Sequence, residues 1–231
     1  MLIDDTLVEG TFVKESKNRF ICTVRIGDSV VECYVPNSSR MGNYLNLERK
    51  QVLLSRNQKT GGRTQYSLFA VKHKNKFILL NLNLVNTILQ SGPLNELLLL
   101  PSNYIVYREK TINGYKADLV LINPKDPGER LIIEAKGIIS KRKNVLFPNV
   151  FSERGINQLH KIKIMLDQGC KMYYVFVSLS PFVEMIKIDE RFDEYSKLLK
   201  ECVKLGLRLV AVSLKYENNE ITIKKNLQVE I

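Results

Sequence analysis

Asp118, Glu134 and Lys136 are the residues whose types and spacing best suit chemistry. Glu134 and Lys136 close the segment Leu-Ile-Ile-Glu-Ala-Lys-Gly, and residues two apart on an extended strand project from one face. Asp118 lies in the apolar run Tyr-Lys-Ala-Asp-Leu-Val-Leu-Ile, where Ala117, Leu119 and Leu121 take one face and Lys116, Asp118, Val120 and Ile122 the other. The Pro- and Gly-containing segment 123–128 reads as a turn, so an antiparallel return is expected to set Asp118 beside Glu134. Adjacent carboxylates raise each other's proton affinity unless a cation sits between them, and hard oxygen donors select Mg2+ or Mn2+ over zinc. Such an ion would activate water and stabilise charge developing on a phosphate, with Lys136 orienting the water or touching the phosphate. The same residues equally form an ordinary ion cluster in which Lys136 neutralises the two acids.

Neighbouring residues extend the site. Glu109 ends the preceding strand, and a hairpin would carry it towards the same metal, making Asp118, Glu134 and Glu109 the candidate ligands. Arg154 and Gln158 share one helix face and suit phosphate or water positioning. The loop Lys141-Arg142-Lys143 leaves from just beyond the Glu-x-Lys strand, where an approaching backbone would pass; a solvated loop needs the same residues.

The elements that must position these groups fall into two regions. Leu7–Val13, Phe20–Ile26, Val30–Val35, Val52–Ser55, Tyr66–Lys72 and Phe77–Asn81 read as short strands. Six strands with polar turns and little helix suggest a closed barrel, OB-like first and SH3-like second. Closure would remove exposed edges. Leu84–Gln90 and Leu94–Leu100 read as short helices split at Gly92-Pro93, which places a boundary between residues 1–83 and 84–231. Beyond it, strands at Tyr104–Glu109, Tyr115–Leu121, Leu131–Lys136, Met172–Val177 and Leu207–Val212 alternate with helices at Glu153–Gln168 and Phe192–Lys204. Ile221–Lys225 adds an edge strand. Ile156, Leu159, Ile162 and Leu166 form the apolar stripe of the first of those helices. Unbroken apolar strands alternating with helices indicate an α/β domain covered on both faces.

The 231 residues carry 35 Lys plus Arg against 24 Asp plus Glu, a balance of +11, with 45% hydrophobic residues, a globular composition. Arg40 to Lys76 holds nine basic residues and one acid, and Lys136 to Lys163 seven and one. Such runs favour a polyanion, although a soluble basic surface needs no partner. The four cysteines form no Cys-x-x-Cys pair and only two histidines are present, which argues against structural zinc. Sparse cysteine and the lack of an apolar leader lead us to expect a cytoplasmic location without a membrane partner. A Gly27-Asp28 hairpin turn would set Cys22 opposite Cys33, as packed thiols or as a disulfide.

Over nearly its whole length the chain resembles the sugar fermentation stimulation protein A family. The resemblance rests on Pro36-Asn37-Ser38-Ser39-Arg40-Met41, Asn81 and Asn86, Glu109, Lys116-Ala117-Asp118 and Ile133-Glu134-Ala135-Lys136. It continues through Phe147-Pro148-Asn149, Ser152-Glu153-Arg154-Gly155 and Gln158-Leu159. Departures include Lys116 for an arginine, Ser39 for a glycine and Asn157-Gln158-Leu159 for Lys-His-Leu. The resemblance implies an N-terminal OB-like β-barrel followed by a restriction-endonuclease-like α/β domain with a mixed central sheet, similar to the PD-(D/E)xK nucleases. It implies DNA binding and regulation of sugar utilisation. By position, Glu109, Asp118, Glu134 and Lys136 would form the catalytic centre with Gln158 in support, holding Mg2+ or Mn2+. Arg40, Arg56, Lys59, Arg63, Lys116, Lys141, Arg142, Lys143 and Arg154 would meet the nucleic acid. The expected function is DNA binding with a metal-dependent phosphodiesterase centre, or DNA binding by a regulator that does not turn over. Single- and double-stranded DNA both remain open, and a two-fold assembly would suit a duplex.

Overall fold

The computed structural model describes residues 1–231 except 4–5, 38–39, 58–61, 92–93 and 101–103, together with the side chains of residues 95 and 96. Lys59, the Ser38-Ser39 pair and the Gly92-Pro93 break therefore lie outside the described residues.

Alternation of buried and exposed positions in β1 and runs of buried residues in β4 and β5 shape the first region into six strands: β1 (Val8–Glu15), β2 (Ile21–Ile26), β3 (Ser29–Tyr34), β4 (Gln51–Arg56), β5 (Tyr66–His73) and β6 (Lys76–Leu79). The sheet closes on itself. β1 pairs antiparallel with both β2 and β4, β2 with β3, and β4 with β5. β3 then meets β5 in parallel through Cys33↔Tyr66 and Tyr34↔Ser67. This ring of five strands, with β6 as a hairpin extension of β5, is OB-like, the first of the two barrel types expected. Cys22 does lie opposite Cys33, and both are buried free thiols.

Two short helices, α1 (Leu84–Ser91) and α2 (Leu94–Leu97), lead into the second region. Its main sheet uses β7 (Ile105–Arg108), β10 (Leu119–Asn123), β11 (Asp126–Ile138), β13 (Lys171–Ser178), β15 (Arg208–Glu217) and β16 (Glu220–Asn226). The order is β16-β15-β13-β11-β10-β7. The three central strands are parallel and the outer pairings antiparallel, so the sheet is mixed, as expected. Helices α3 (Glu153–Asp167) and α4 (Asp193–Lys204) cross over between the parallel strands. Ser152 caps α3, its Oγ accepting from Gly155 N at 3.0 Å, which satisfies one of the unpaired N–H groups of the first turn.

The two faces of that sheet are covered differently. Ile132, Val120, Tyr174 and Phe176 face α3 and α4 in one core. Leu119, Leu121, Leu131, Ile133, Val175 and Val212 face the barrel and α1 in another. The barrel thus takes the place of a second helical layer. Phe69 and Phe77 set their ring edges against Tyr216 at 5.3 and 5.9 Å, and Leu79 N donates to Leu179 O at 2.9 Å.

Two expectations need correction. The run Tyr115–Leu121 is not one strand. It divides into β9 (Tyr115–Lys116), hairpinned to β8 (Thr111–Ile112), and β10, with a bend at Ala117-Asp118. Ala117 consequently packs with the helix-side core while Leu119 and Leu121 pack towards the barrel. Three strands were also not anticipated: β12 (Asn144–Phe147), β14 (Met185–Ile188) and β17 (Gln228–Glu230) form a small all-parallel sheet. Each is short, with between one and three buried or half-buried apolar positions, too few to stand out from loop.

Candidate functional site

Leu119 lies opposite Ile133 in the β10–β11 ladder, so Asp118 arrives beside Glu134. The bend frees the Asp118 carboxylate from the ladder, and it becomes fixed from two sides. Oδ2 accepts from the Ala135 backbone N at 2.9 Å, and Oδ1 from Asn86 Nδ2 of α1 at 3.2 Å. Asn86 can reach because α1 settles tightly on β11. A Cβ built at Gly137 would collide with Leu82 Cδ2 and sit 3.1 Å from Val85 Cγ2, so a larger residue here would have to displace those side chains.

Glu134 is 2% exposed. Its Oε2 accepts from the Tyr115 hydroxyl at 2.6 Å and its Oε1 from Lys136 Nζ at 2.8 Å. Lys136 Nζ also donates to Gln158 Oε1 of α3, and Gln158 Nε2 reaches the Tyr115 oxygen at 3.4 Å. Burial lifts the Glu134 carboxyl above its usual range; the Lys136 charge opposes this and the Asp118 charge adds to it. Burial and the Glu134 charge push the Tyr115 phenol up, keeping it a protonated donor. Asp118, Glu134, Lys136 and Gln158 are therefore brought together. Glu109 is not among them: its carboxylate holds Lys116 Nζ at 2.6 Å on the exposed hairpin, and that contact holds its pKa below the usual carboxylate range. Among the described residues, no group of three or more His, Cys, Asp or Glu side chains converges as a metal cage.

A cleft of about 490 Å³ opens beside this network, lined by Tyr115, Lys116, Glu153, Arg154, Asn157, Gln158 and Lys161. Its three cations against one acid favour an anion. A second cleft of about 370 Å³ runs between Asn43 and Tyr44 of the barrel and Lys141, Arg142 and Arg191 of the α/β region. Lys143 pairs with Glu184 at 3.6 Å. Three barrel arginines expected to meet nucleic acid are engaged within the chain. Arg40 donates to the carbonyls of Ser16 and Lys17 at 3.1 and 2.8 Å, Arg56 lies over the Tyr66 ring at 5.9 Å, and Arg63 pairs with Glu32 at 3.2 Å.

The residues that sequence reasoning did not assign to the site are Tyr115, Asn86 and Lys161. Lys161 carried a signal, lying three residues after Gln158 and seven after Arg154 on one helical face. Tyr115 and Asn86 are placed by tertiary contacts that no local spacing encodes.

An OB-type barrel packed on a restriction-endonuclease-like α/β domain, with a carboxylate–lysine centre beside a basic cleft, defines a two-domain architecture. Comparison with known proteins makes this specific. The model for the sugar fermentation stimulation protein RE domain matches residues 80–220, and that for the SfsA N-terminal OB domain residues 15–80. The chain belongs to the sugar fermentation stimulation protein family. It is 28% identical over 231 residues to the homolog from Alkaliphilus metalliredigens, covering 98% of each chain. It is 25% identical to that from Pelagibacter ubique, covering 96% of each. The structure of Pyrococcus furiosus SfsA in complex with Ca2+ superposes with a TM-score of 0.84 over 100% of both chains at 22% identity, a likeness of fold. Among the described residues no helix is long and apolar enough to cross a membrane.

Proposed function

We propose that this is a DNA-binding protein that grips the phosphate backbone with little regard for base sequence, leaves it intact, and acts in regulating sugar utilisation. The relatives' printed name, sugar fermentation stimulation, supports that setting. The observation that carries the reading is the internal engagement of the centre. Both Asp118 oxygens accept hydrogen bonds from Asn86 and Ala135, both Glu134 oxygens from Tyr115 and Lys136, and Lys136 is held between Glu134 and Gln158. Lys136 thereby serves as a built-in counter-cation, while Lys116, Arg154 and Lys161 face the open cleft.

A second reading, hydrolysis of a phosphodiester with Mg2+ or Mn2+, is favoured by a different observation. Asp118 and Glu134 lie side by side, and although burial is the first cause of the lifted Glu134 carboxyl, the Asp118 charge adds to it against Lys136, a repulsion that a further cation would relieve. Their oxygens are hard donors, and Mg2+ commonly takes one or two carboxylates and completes its shell with water and phosphate oxygens. Asp118 and Glu134 would hold the ion, which when bound supplies Lewis acidity towards a phosphoryl oxygen. Gln158 and Lys136 would position a water by hydrogen bonds.

One experiment separates the two. Wild-type protein and Glu134→Ala are incubated with labelled single- and double-stranded DNA in Mn2+, and binding is followed by anisotropy between about 50 and about 200 mM salt. Salt-sensitive binding without cleavage is expected. Cleavage that depends on Glu134 would replace the first reading with the second, and salt-independent binding would reject backbone recognition altogether.

A further inference from the structure

Away from the Glu134 centre, lysines from both regions crowd the turn at Pro181-Phe182. On one side His73, from the end of β5, sets its ring edge-on to Phe182 at 5.1 Å. Val52 pairs antiparallel with Val71, which carries Lys50 towards His73, and Ile138 pairs in parallel with Ser178, which carries Lys141 towards Pro181; partial burial and the charges of Lys74, Lys141 and Lys50 lower the basicity of His73. On the other side Lys224 of β16 donates to Pro181 O at 2.6 Å. Its own basicity is lowered by burial and by Lys76 and Lys225, against a smaller opposing influence of Glu184 and Glu217. Lys76 faces His73 across the β5–β6 hairpin, which joins the two groups. Lys50, Lys74, Lys76 and Lys141 are exposed and appear in none of the ion pairs among the described residues.

A cluster of like charges raises the energy of the folded chain unless a counter-charge covers it. The two acids here do not suffice, since Glu184 is shared between Lys143 at 3.6 Å and Lys225 at 3.8 Å and Glu217 is held by Lys215 at 2.9 Å. The two basic runs of the sequence meet at this point, through Lys74 and Lys141, and Lys224-Lys225 joins them from a segment outside either run.

We propose that this junction is a second DNA-backbone site, in which Lys50, Lys74, Lys76, Lys141 and Lys224 bind successive phosphates across the seam between barrel and α/β domain. The inference rests on the DNA-binding reading above. It makes the barrel and the α/β domain a single continuous grip and assigns duplex-length DNA as the ligand, because the lysines lie on two folding units.

The test compares a Lys50→Gln/Lys74→Gln/Lys76→Gln variant with a control of equal charge change, Lys125→Gln/Lys171→Gln/Lys204→Gln. The dependence of affinity for a labelled duplex on salt is measured for each, with circular dichroism confirming the fold. Each phosphate contact contributes about 0.9 to the slope of log K against log salt. The junction variant is expected to lose between about 2 and about 3 of slope while the control keeps that of wild type. Equal slopes in both variants, with wild type binding normally, would overturn the junction site alone. Failure of wild type to bind would instead overturn the DNA-binding reading on which it stands.

Discussion

Two glutamate–lysine pairs flank Asp118, and they differ in almost everything except chemistry. Lys136 holds Glu134 at 2.8 Å with the two side chains 20% and 3% exposed; Lys116 holds Glu109 at 2.6 Å with both more than half exposed. Each pair also steadies Asp118 through the backbone. Ala135 N, next to Glu134, donates to its carboxylate, and Glu109 N donates to its carbonyl at 2.9 Å. In water the exposed pair gains little, because solvent screens it and two long side chains must be held still. The buried pair adds little over an apolar substitute either, but it is dangerous to break, since one removed partner strands a charge in a medium that cannot solvate it. Burial, not pairing, is therefore what singles out Glu134. An acid kept at such a cost in a sheet core marks the centre, whereas Glu109 is an ordinary surface acid.

The largest expected effect follows directly. Lys136→Ala leaves Glu134 without its cation and should lower stability in urea by about 3–5 kcal/mol at neutral pH. The double variant Glu134→Gln/Lys136→Met should regain most of that, and a double variant no better than the single would break the contrast. Tyr115→Phe comes next. It removes one charge-assisted hydrogen bond and no volume of consequence, for an expected loss of about 1.5–3 kcal/mol. The ring also lines the basic cleft, so DNA affinity measured beside stability shows whether the hydroxyl does more than hold Glu134.

A third pair lies between the extremes and sharpens the rule. Asp189 is 3% exposed while its partner Arg191 is 73% exposed, with the shortest contact at 2.6 Å. The Arg191 guanidinium and backbone N–H hold the Asp189 carboxyl below its usual range. An acid with a depressed folded value contributes stability at every pH above its unfolded value, about 3.9 for aspartate, and loses it as pH falls through the folded value. Asp189→Asn should therefore lower the thermal midpoint at pH 7 more than Glu109→Ala does, and the gap from wild type should close below about pH 4. A gap that persists unchanged into acid would mean that Asp189 acts through packing and not through charge.

Much of this was legible in the chain itself. Apolar alternation located the first three barrel strands and polar turns between short apolar runs the other three, and the 123–128 turn between two apolar runs was enough to set Asp118 beside Glu134. The unbroken runs at Met172–Val177 and Leu207–Val212 signalled strands covered on both faces, and both proved central and parallel. The barrel's role as cover for one face of that sheet was not legible, because Phe69, Phe77 and Tyr216 meet over long sequence separations. Nor was the outward turn of Glu109. Its spacing permits a place at the centre, but a left-handed backbone at this residue, with φ of 51°, and the nearby Lys116 decide otherwise. The Asn86 contact is likewise a product of how α1 seats against Gly137, a matter of sub-ångström packing that spacing cannot convey.

The smallest effect expected is at Glu109 itself, and it is the most discriminating. Glu109→Ala should leave the urea midpoint unchanged within error, and any residual difference should vanish in high salt, as screening of an exposed pair demands. Its consequence should instead appear in DNA binding. Removing the acid releases Lys116, which lines the cleft beside Arg154 and Lys161, so affinity at low salt should rise modestly. Lys116→Ala should do the reverse and reduce the salt slope by about 0.9, one phosphate contact. If Glu109→Ala weakened DNA binding only when Mn2+ is present, the carboxylate would have to reach a metal at the centre. The exposed pair would then be an inactive arrangement of the same site, and the separation drawn between the two glutamates would fail.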